Sequence, residues 1–437
     1  MSTEQPWGFP ASRSPAAYLI VSLAAFSNSA VAGGDLVWHD AFGSQALGDS
    51  ARAVAISGNI VFAAGFIQTA APGVSPFAVR AYTVNTGELL WAADQPSSDS
   101  SEDTAHDVVA ANGEVVIVCG RLDDRFGVVA YDRHDGDMLW EDRAGTGRAR
   151  ACSAHGRNVF VVGSSRNDVT GSDVLVRAYD ARTGVLLWED QVDGGAQVAD
   201  AATDLSIADG RLFVVGGIQP TPGDDDMLIR RYDAETGALV WHQVFAGPVG
   251  ERDEATAVAA KENRVFVAGR VSTVPESFGN EWAVHARDAA TGELLWTDHR
   301  EQEEVHAITV SAKHVLAAGG REDGTAVVRA YDGESGDRSW EDTVGSSASV
   351  ALAVDTGGQR AYWGGQSRGS PDGATAFTVR AVDLKTGEKV WQDLFGSQSE
   401  GGRVNDLIVA SNRVVAVGHT TVGFGTADFL VRVYKAR

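Results

Sequence analysis

The sequence predicts an all-β fold, an eight-bladed β-propeller of four-stranded antiparallel blades whose ring is closed by pairing of the N- and C-terminal strands. Three observations predict it. A unit of about 50 residues recurs, its strands carry no helical period, and each end of the chain lacks what the other end supplies. The repeat is plain in Ala178-Tyr-Asp-Ala-Arg-Thr-Gly-Val-Leu-Leu-Trp188, Arg231-Tyr-Asp-Ala-Glu-Thr-Gly-Ala-Leu-Val-Trp241 and Ala286-Arg-Asp-Ala-Ala-Thr-Gly-Glu-Leu-Leu-Trp296, with a further match over 381–391. Looser copies end at Trp91, Trp140 and Trp340, and Trp38 closes a fragment at the N-terminus. Successive spacings of Trp38, Trp91, Trp140, Trp188, Trp241, Trp296, Trp340 and Trp391 are 53, 49, 48, 53, 55, 44 and 51 residues, a length suited to one four-stranded blade.

Within a unit the elements follow in order. A strand of small residues such as Ala53-Val54-Ala55-Ile56 reaches a polar turn. A β-branched and aromatic run ending in Gly follows, as in Val159-Phe-Val-Val-Gly163, and a loop of variable length leads to a third strand such as Val174-Leu-Val-Arg-Ala-Tyr179. The Asp-x-x-Thr-Gly segment then reverses the chain, the Asp accepting local backbone hydrogen bonds and the Gly supplying positive φ. Leu-Leu-Trp begins the fourth strand. The fragment ending at Trp38 has a fourth strand with no third before it, whereas Phe429-Leu-Val-Arg-Val-Tyr434 is a third strand with no fourth after it. Their pairing completes the eighth blade and removes the open sheet edges.

Two domain assignments follow. Residues 1–32 read as a secretory signal, with the apolar run Ala16–Phe26 after Arg13 and an A-x-A site at Ala30-Val31-Ala32, and residues 33–437 read as one propeller. The expected location is periplasmic or secreted, with no membrane span after cleavage, and a monomer is expected. Asp plus Glu number 59 against 36 Lys plus Arg, a formal charge of −23, which repels phosphate backbones and excludes nucleic acid as the expected partner. Two cysteines, Cys119 and Cys152, stand where other units have Val or Ala and read as small buried residues; a bridge between them is left open. Gly365-Gln-Ser367-Arg-Gly369 matches a nucleophile string but joins no strand to a helix.

The pattern A-x-D-x-x-T-G-x-x-x-W resembles the tryptophan-docking repeat of quinoprotein alcohol dehydrogenases and other propellers called PQQ-like, after pyrroloquinoline quinone. The resemblance implies eight blades around a central channel, each Trp packed between neighbouring blades. It also implies, for the dehydrogenases of the family, PQQ with Ca²⁺. Those enzymes carry two adjacent cysteines and long insertions; neither is present, and no calcium ligand or catalytic Asp carries over residue by residue.

Candidate binding residues belong on the face of the variable loops 66–76, 164–173, 217–226 and 270–281. Aligning the innermost strands places Arg52, Asp107, Arg150, Thr203, Thr256, His306 and Asn405 beside the channel, a set suited to an anionic or polyol ligand or to hydrogen bonding between blades. A one-residue slip would turn a strand side chain to its other face. Asp224, Asp225 and Asp226 form an acidic loop of hard oxygen ligands suited to Ca²⁺, although Leu228 and Ile229 break an EF-hand pattern; solvated turn acids are the plainer reading. The recurrent Arg80, Arg177, Arg230, Arg329, Arg380 and Arg432 point to a structural role, with Asp190 and Asp342 as conceivable partners. The expected function is a non-catalytic binding or scaffold module, presenting its loop face to a protein, glycan or small polar ligand and needing no cofactor. The alternatives are a PQQ- and calcium-dependent alcohol or sugar dehydrogenase, and a lyase or hydrolase at the channel mouth using His306 or an acidic pair.

Overall fold

Each sheet is sandwiched between two others, which is why its middle strands are apolar on both faces. In the strand Asn158–Asn167, Val159 and Val161 join the cluster shared with the preceding sheet, and Phe160 and Val162 join that shared with the following one. The core is therefore a series of slabs between sheets. The computed structural model describes residues 34–43, 48–69, 74–95, 103–195, 198–248, 253–272, 281–345, 348–368, 374–396, 401–422 and 426–436; the proposed leader 1–32 lies outside the described residues. Among the described residues there are strands and turns and no helix.

The fold is propeller-like, built of four-stranded antiparallel sheets with strands in chain order. Ala201–Ala208, Arg211–Thr221, Asp224–Asp233 and Leu239–Phe245 make one such sheet. Two units are fused by the long strand Met138–His155, whose first half pairs with Arg125–Asp132 and whose second half pairs with Asn158–Asn167. One sheet combines both ends of the chain: Leu36–Phe42 pairs antiparallel with Thr426–Lys435, Trp38 opposite Val433. First strands of successive sheets contact one another, and the last, Gly402–Ala410, contacts Ser50–Ser57.

The repeat residues tie sheet to sheet. The Trp340 indole N–H donates to Leu384 O at 2.9 Å, Trp140 to Ala181 O at 2.9 Å and Trp38 to Val84 O at 2.8 Å, each acceptor lying in the next sheet. The ring then lies on the turn glycine of that sheet: Gly387, at φ +73, has the Trp340 ring where a Cβ would stand, and Gly34 lies against Trp391 in the same way across the chain ends. In the turn itself Asp180 Oδ1 accepts from the amide of Thr183 at 3.0 Å and from its hydroxyl at 2.9 Å. In several sheets an Asp two residues beyond the Trp meets the recurrent Arg of the next sheet, in some with a Tyr as well. Asp190 takes Arg230 at 2.9 Å and the Tyr232 hydroxyl at 2.7 Å, and Asp342 takes Arg380 at 2.6 Å. Both conceivable pairings are thus formed.

Candidate site at the channel mouth

Each first strand carries a one-residue bulge opposite the glycine that ends the second strand, as between Ala51 and Ala53 opposite Gly65. A Cβ on that glycine would strike the backbone carbonyl beside the bulge, so the repeated Gly is a steric requirement. The bulged residues are Arg52, His106, Arg150, Thr203, Thr256, His306, Leu352 and Asn405. Six of the seven channel residues expected from sequence hold this position; in the second sheet it is His106, with Asp107 one residue further on.

Several of these side chains are committed to the neighbouring sheet. Thr203 donates to Ala255 O at 2.6 Å, Thr256 to Val305 O at 3.0 Å and Asn405 to Ala51 O at 2.7 Å, while His106 Nδ1 lies 2.8 Å from Ala149 O. Asp107, Asp204 and Asp406 form a second staple. Each carboxylate accepts the amide of its own following residue and one amide across the junction, Cys152 N at 2.7 Å for Asp107, Val258 N at 2.8 Å for Asp204 and Val54 N at 2.9 Å for Asp406. Burial is the largest influence on all three and pushes their carboxyls up, Asp107 to about 7 and Asp204 to about 6, against the amide bonds that favour the charged form.

The remaining candidates gather with residues that the sequence alignment missed. Arg52, Arg148, Arg150 and Arg403 stand at the loop-face ends of first strands from three sheets, and none has an ion-pair partner among the described residues. Burial lowers Arg52, Arg150 and Arg403; Arg148 adds to the effect on Arg150, and Arg52 to that on Arg403. His106 and His419 are lowered to about 4 by burial and then by these arginines, so both are neutral at pH 7. Opposite stand Glu254, paired with Arg270 at 2.9 Å, and Glu304, 3.1 Å from His306 Nε2. Arg148, Arg150 and Glu254 line a cleft of about 170 Å³. The signal for Arg148 and Arg403 was present in the sequence: each stands two residues before a candidate, on the same strand face.

A hollow of about 500 Å³ on the opposite face is lined by Gly357, Gly358, Val409, Ala410 and neighbours, and its Arg360 is paired with Asp383. It brings no set of unpaired polar side chains together. Asp224, Asp225 and Asp226 follow one another along a strand and so alternate in direction: Asp225 is bonded to Gln219, whereas Asp226 is buried near Asp253. Cys119 and Cys152 are free, buried thiols from adjacent sheets, grouped with Asp107. Burial raises both, which suppresses the thiolate. Ser367 is fully buried, its hydroxyl 2.8 Å from that of Thr378 inside a strand pair, with no access for a substrate.

A model of the family described as outer membrane protein assembly factor BamB matches residues 22–220 and 225–428. The chain belongs to this PQQ-like family. Solved structures share its fold. A computationally designed protein, Ika8, is 21% identical with a TM-score of 0.60, covering 92% of this chain and 100% of its own. BamB from Moraxella catarrhalis is 15% identical, TM-score 0.56, covering 92% and 99%, and a europium-containing methanol dehydrogenase is 13% identical, TM-score 0.58, covering 92% and 93%. No curated protein sequence matches. At these identities the structures carry the fold and nothing further.

The quinone and calcium implied by the dehydrogenases of the family do not fit the residues here. The aspartates beside the channel, Asp107, Asp204 and Asp406, each bind two backbone amides, and the two cysteines are buried between sheets.

Proposed function

We propose that the protein is an exported, eight-bladed propeller, its ring closed by the two chain ends, acting as a non-catalytic binding module for an anionic ligand at the loop-face mouth of its channel. Eight four-stranded units and first strands in mutual contact from Ser50–Ser57 round to Gly402–Ala410 support the ring. The leader-like 1–32 segment and the family description support export to the periplasm or beyond. The observation that carries the ligand class is the convergence of Arg52, Arg148, Arg150 and Arg403, without ion-pair partners, in a chain whose formal charge is −23. Arg148 opposes Arg150 and Arg52 opposes Arg403, with Glu254 and Glu304 offsetting part of the repulsion, and guanidinium groups without ion-pair partners favour a bound carboxylate or phosphate. A protein partner would present such a group as an acidic segment, a glycan as an acidic sugar.

The hydroxyl nearest the His306–Glu304 pair in the strand alignment, Thr256, is bonded to Val305 O and lies 3.2 Å from Ala268 O. The test is calorimetric titration of residues 33–437 with citrate and with hexaglutamate at low ionic strength. Binding that weakens with salt and falls at least tenfold in Arg52→Gln/Arg403→Gln is expected. No binding by the unaltered protein, or equal binding by the variant, overturns the reading. Calcium-dependent one-to-one binding of PQQ with dye reduction by an alcohol would replace it with the dehydrogenase alternative.

A further inference from the structure

At the junction between the sheet ending in Leu186–Val192 and the sheet beginning with Ala201–Ala208, three carboxylates meet. Asp173 opens a third strand, Asp193 follows the fourth, and Asp200 precedes the next first strand; the Asp200 amide donates to Ser172 O at 2.7 Å and so brings the segments together. One oxygen from each of the three lies within 4.8 Å of the others. Oxygens no further apart than this can all reach one cation at about 2.4 Å.

Asp173 is 2% exposed and Asp200 0%, while Asp193 is exposed and leaves a way in. Asp200 accepts the amides of Gln219 at 2.7 Å and Gly194 at 2.5 Å. Asp173 Oδ2 accepts from Asn167, Thr170 and Gln191 at 2.7–2.8 Å, yet its buried Oδ1 has no hydrogen-bond partner. A buried carboxylate oxygen without a donor, beside two more carboxylates, lacks a positive charge.

The repeat shows how the fold meets this need elsewhere. At the position of Asp200, another sheet has Glu303, also buried, and the guanidinium groups of Arg321 at 2.9 Å and Arg329 at 2.5 Å neutralise it. No Arg or Lys is paired with Asp173, Asp193 or Asp200 among the described residues. The next junction repeats the acidic version: Asp226 and Asp253 are buried, the Asp253 amide donates to Asp225 O at 2.6 Å, its Oδ1 accepts from Ser272 N at 2.7 Å, and Asp226 Oδ1 has no partner.

We infer that Asp173, Asp193 and Asp200 form a Ca²⁺ site that bridges two sheets on the loop face. Oxygen-only donors at this spacing are hard ligands, and a flexible ligand number on loops suits Ca²⁺ better than the strict octahedron of Mg²⁺. Asp200 borders the cleft that Arg148 and Arg150 line, so the ion would set the loops beside the channel mouth.

The experiment is calorimetric titration of the chelator-treated full mature chain with CaCl₂ alone, alongside thermal unfolding in EGTA, CaCl₂ and MgCl₂. The expected result is Ca²⁺ binding, a Tm higher in CaCl₂ than in EGTA or MgCl₂, and loss of one binding equivalent, or at least tenfold weakening of it, in Asp193→Asn with an unchanged Tm in EGTA. Asp193 is exposed, so this variant folds independently of the buried pair, and Asp173→Asn serves as a second probe. Absence of Ca²⁺ heat and of a Tm rise, or a full binding count in Asp193→Asn and Asp173→Asn, overturns the inference. Because citrate itself binds Ca²⁺, the anion titration above is made on chelator-treated protein, so that failure of one reading is told apart from failure of the other.

Discussion

Replacing Trp340 by Ala tests whether the repeated indole holds adjacent sheets together. The side chain is 7% exposed, packs with Leu316, Val328 and Val382, and donates to Leu384 O at 2.9 Å. Removing a buried Trp costs about 3–5 kcal/mol from lost transfer energy and the cavity left behind. Part of that, about 1 kcal/mol, is the hydrogen bond. Trp340→Phe should therefore lose about 1–2 kcal/mol and Trp340→Ala about 4. With an unfolding entropy of about 2 cal/mol/K per residue, the larger loss lowers Tm by about 5 °C in a chain of this length. Gly387 supplies an internal control. It sits at φ +73 with the indole 2.8 Å from where a Cβ would be, so Gly387→Ala adds backbone strain and a clash with Trp340. In the Trp340→Ala background only the strain remains, so the double variant should be more stable than the sum of the two losses by about 1–2 kcal/mol. Urea unfolding followed by circular dichroism and by fluorescence measures the unaltered protein and the four variants. A loss below about 1 kcal/mol in Trp340→Ala, or strict additivity with Gly387→Ala, would refute the packing argument.

Two further outcomes follow from the junctions. Asp107 is raised in the folded protein to about 7, from an ordinary carboxylate value in the unfolded chain, chiefly by burial. Folding then takes up a proton between those values, so this group's contribution is favourable below the ordinary carboxylate range and is lost as pH rises toward 7. Asp107→Asn removes the dependence: its urea midpoint relative to the unaltered protein should climb from pH 4.5 to 7.5, and a constant difference across that window would contradict the burial account. Deleting residues 426–437 removes the strand that pairs with both Leu36–Phe42 and Arg413–Val422 and exposes two edges. Light scattering should show aggregation; a soluble, fully folded monomer would refute closure through the chain ends.

The repeat was legible because each of its residues acts locally or in a fixed periodic contact. The Asp and Gly of the turn satisfy their own backbone, and the Trp must find the same neighbour in every unit, so sequence periodicity is structural periodicity. Asp190 and Asp342 could be named as partners of the recurrent Arg for the same reason. The position of the bulge was legible only to the nearest residue. The bulge inserts one position whose place in the strand depends on the facing glycine, and in the second sheet it falls on His106 before Asp107.

What the sequence determined by itself is therefore the unit, its strand order and the contacts each unit makes with the next. The charge clusters were decided by the tertiary structure. Arg52 and Arg403 come from opposite ends of the chain and act on each other because Gly402–Ala410 contacts Ser50–Ser57. Asp173, Asp193 and Asp200 meet because one backbone hydrogen bond, Asp200 N to Ser172 O, folds a variable loop back on the next sheet. Electrostatic interaction depends on distance and burial, and neither is periodic in the sequence.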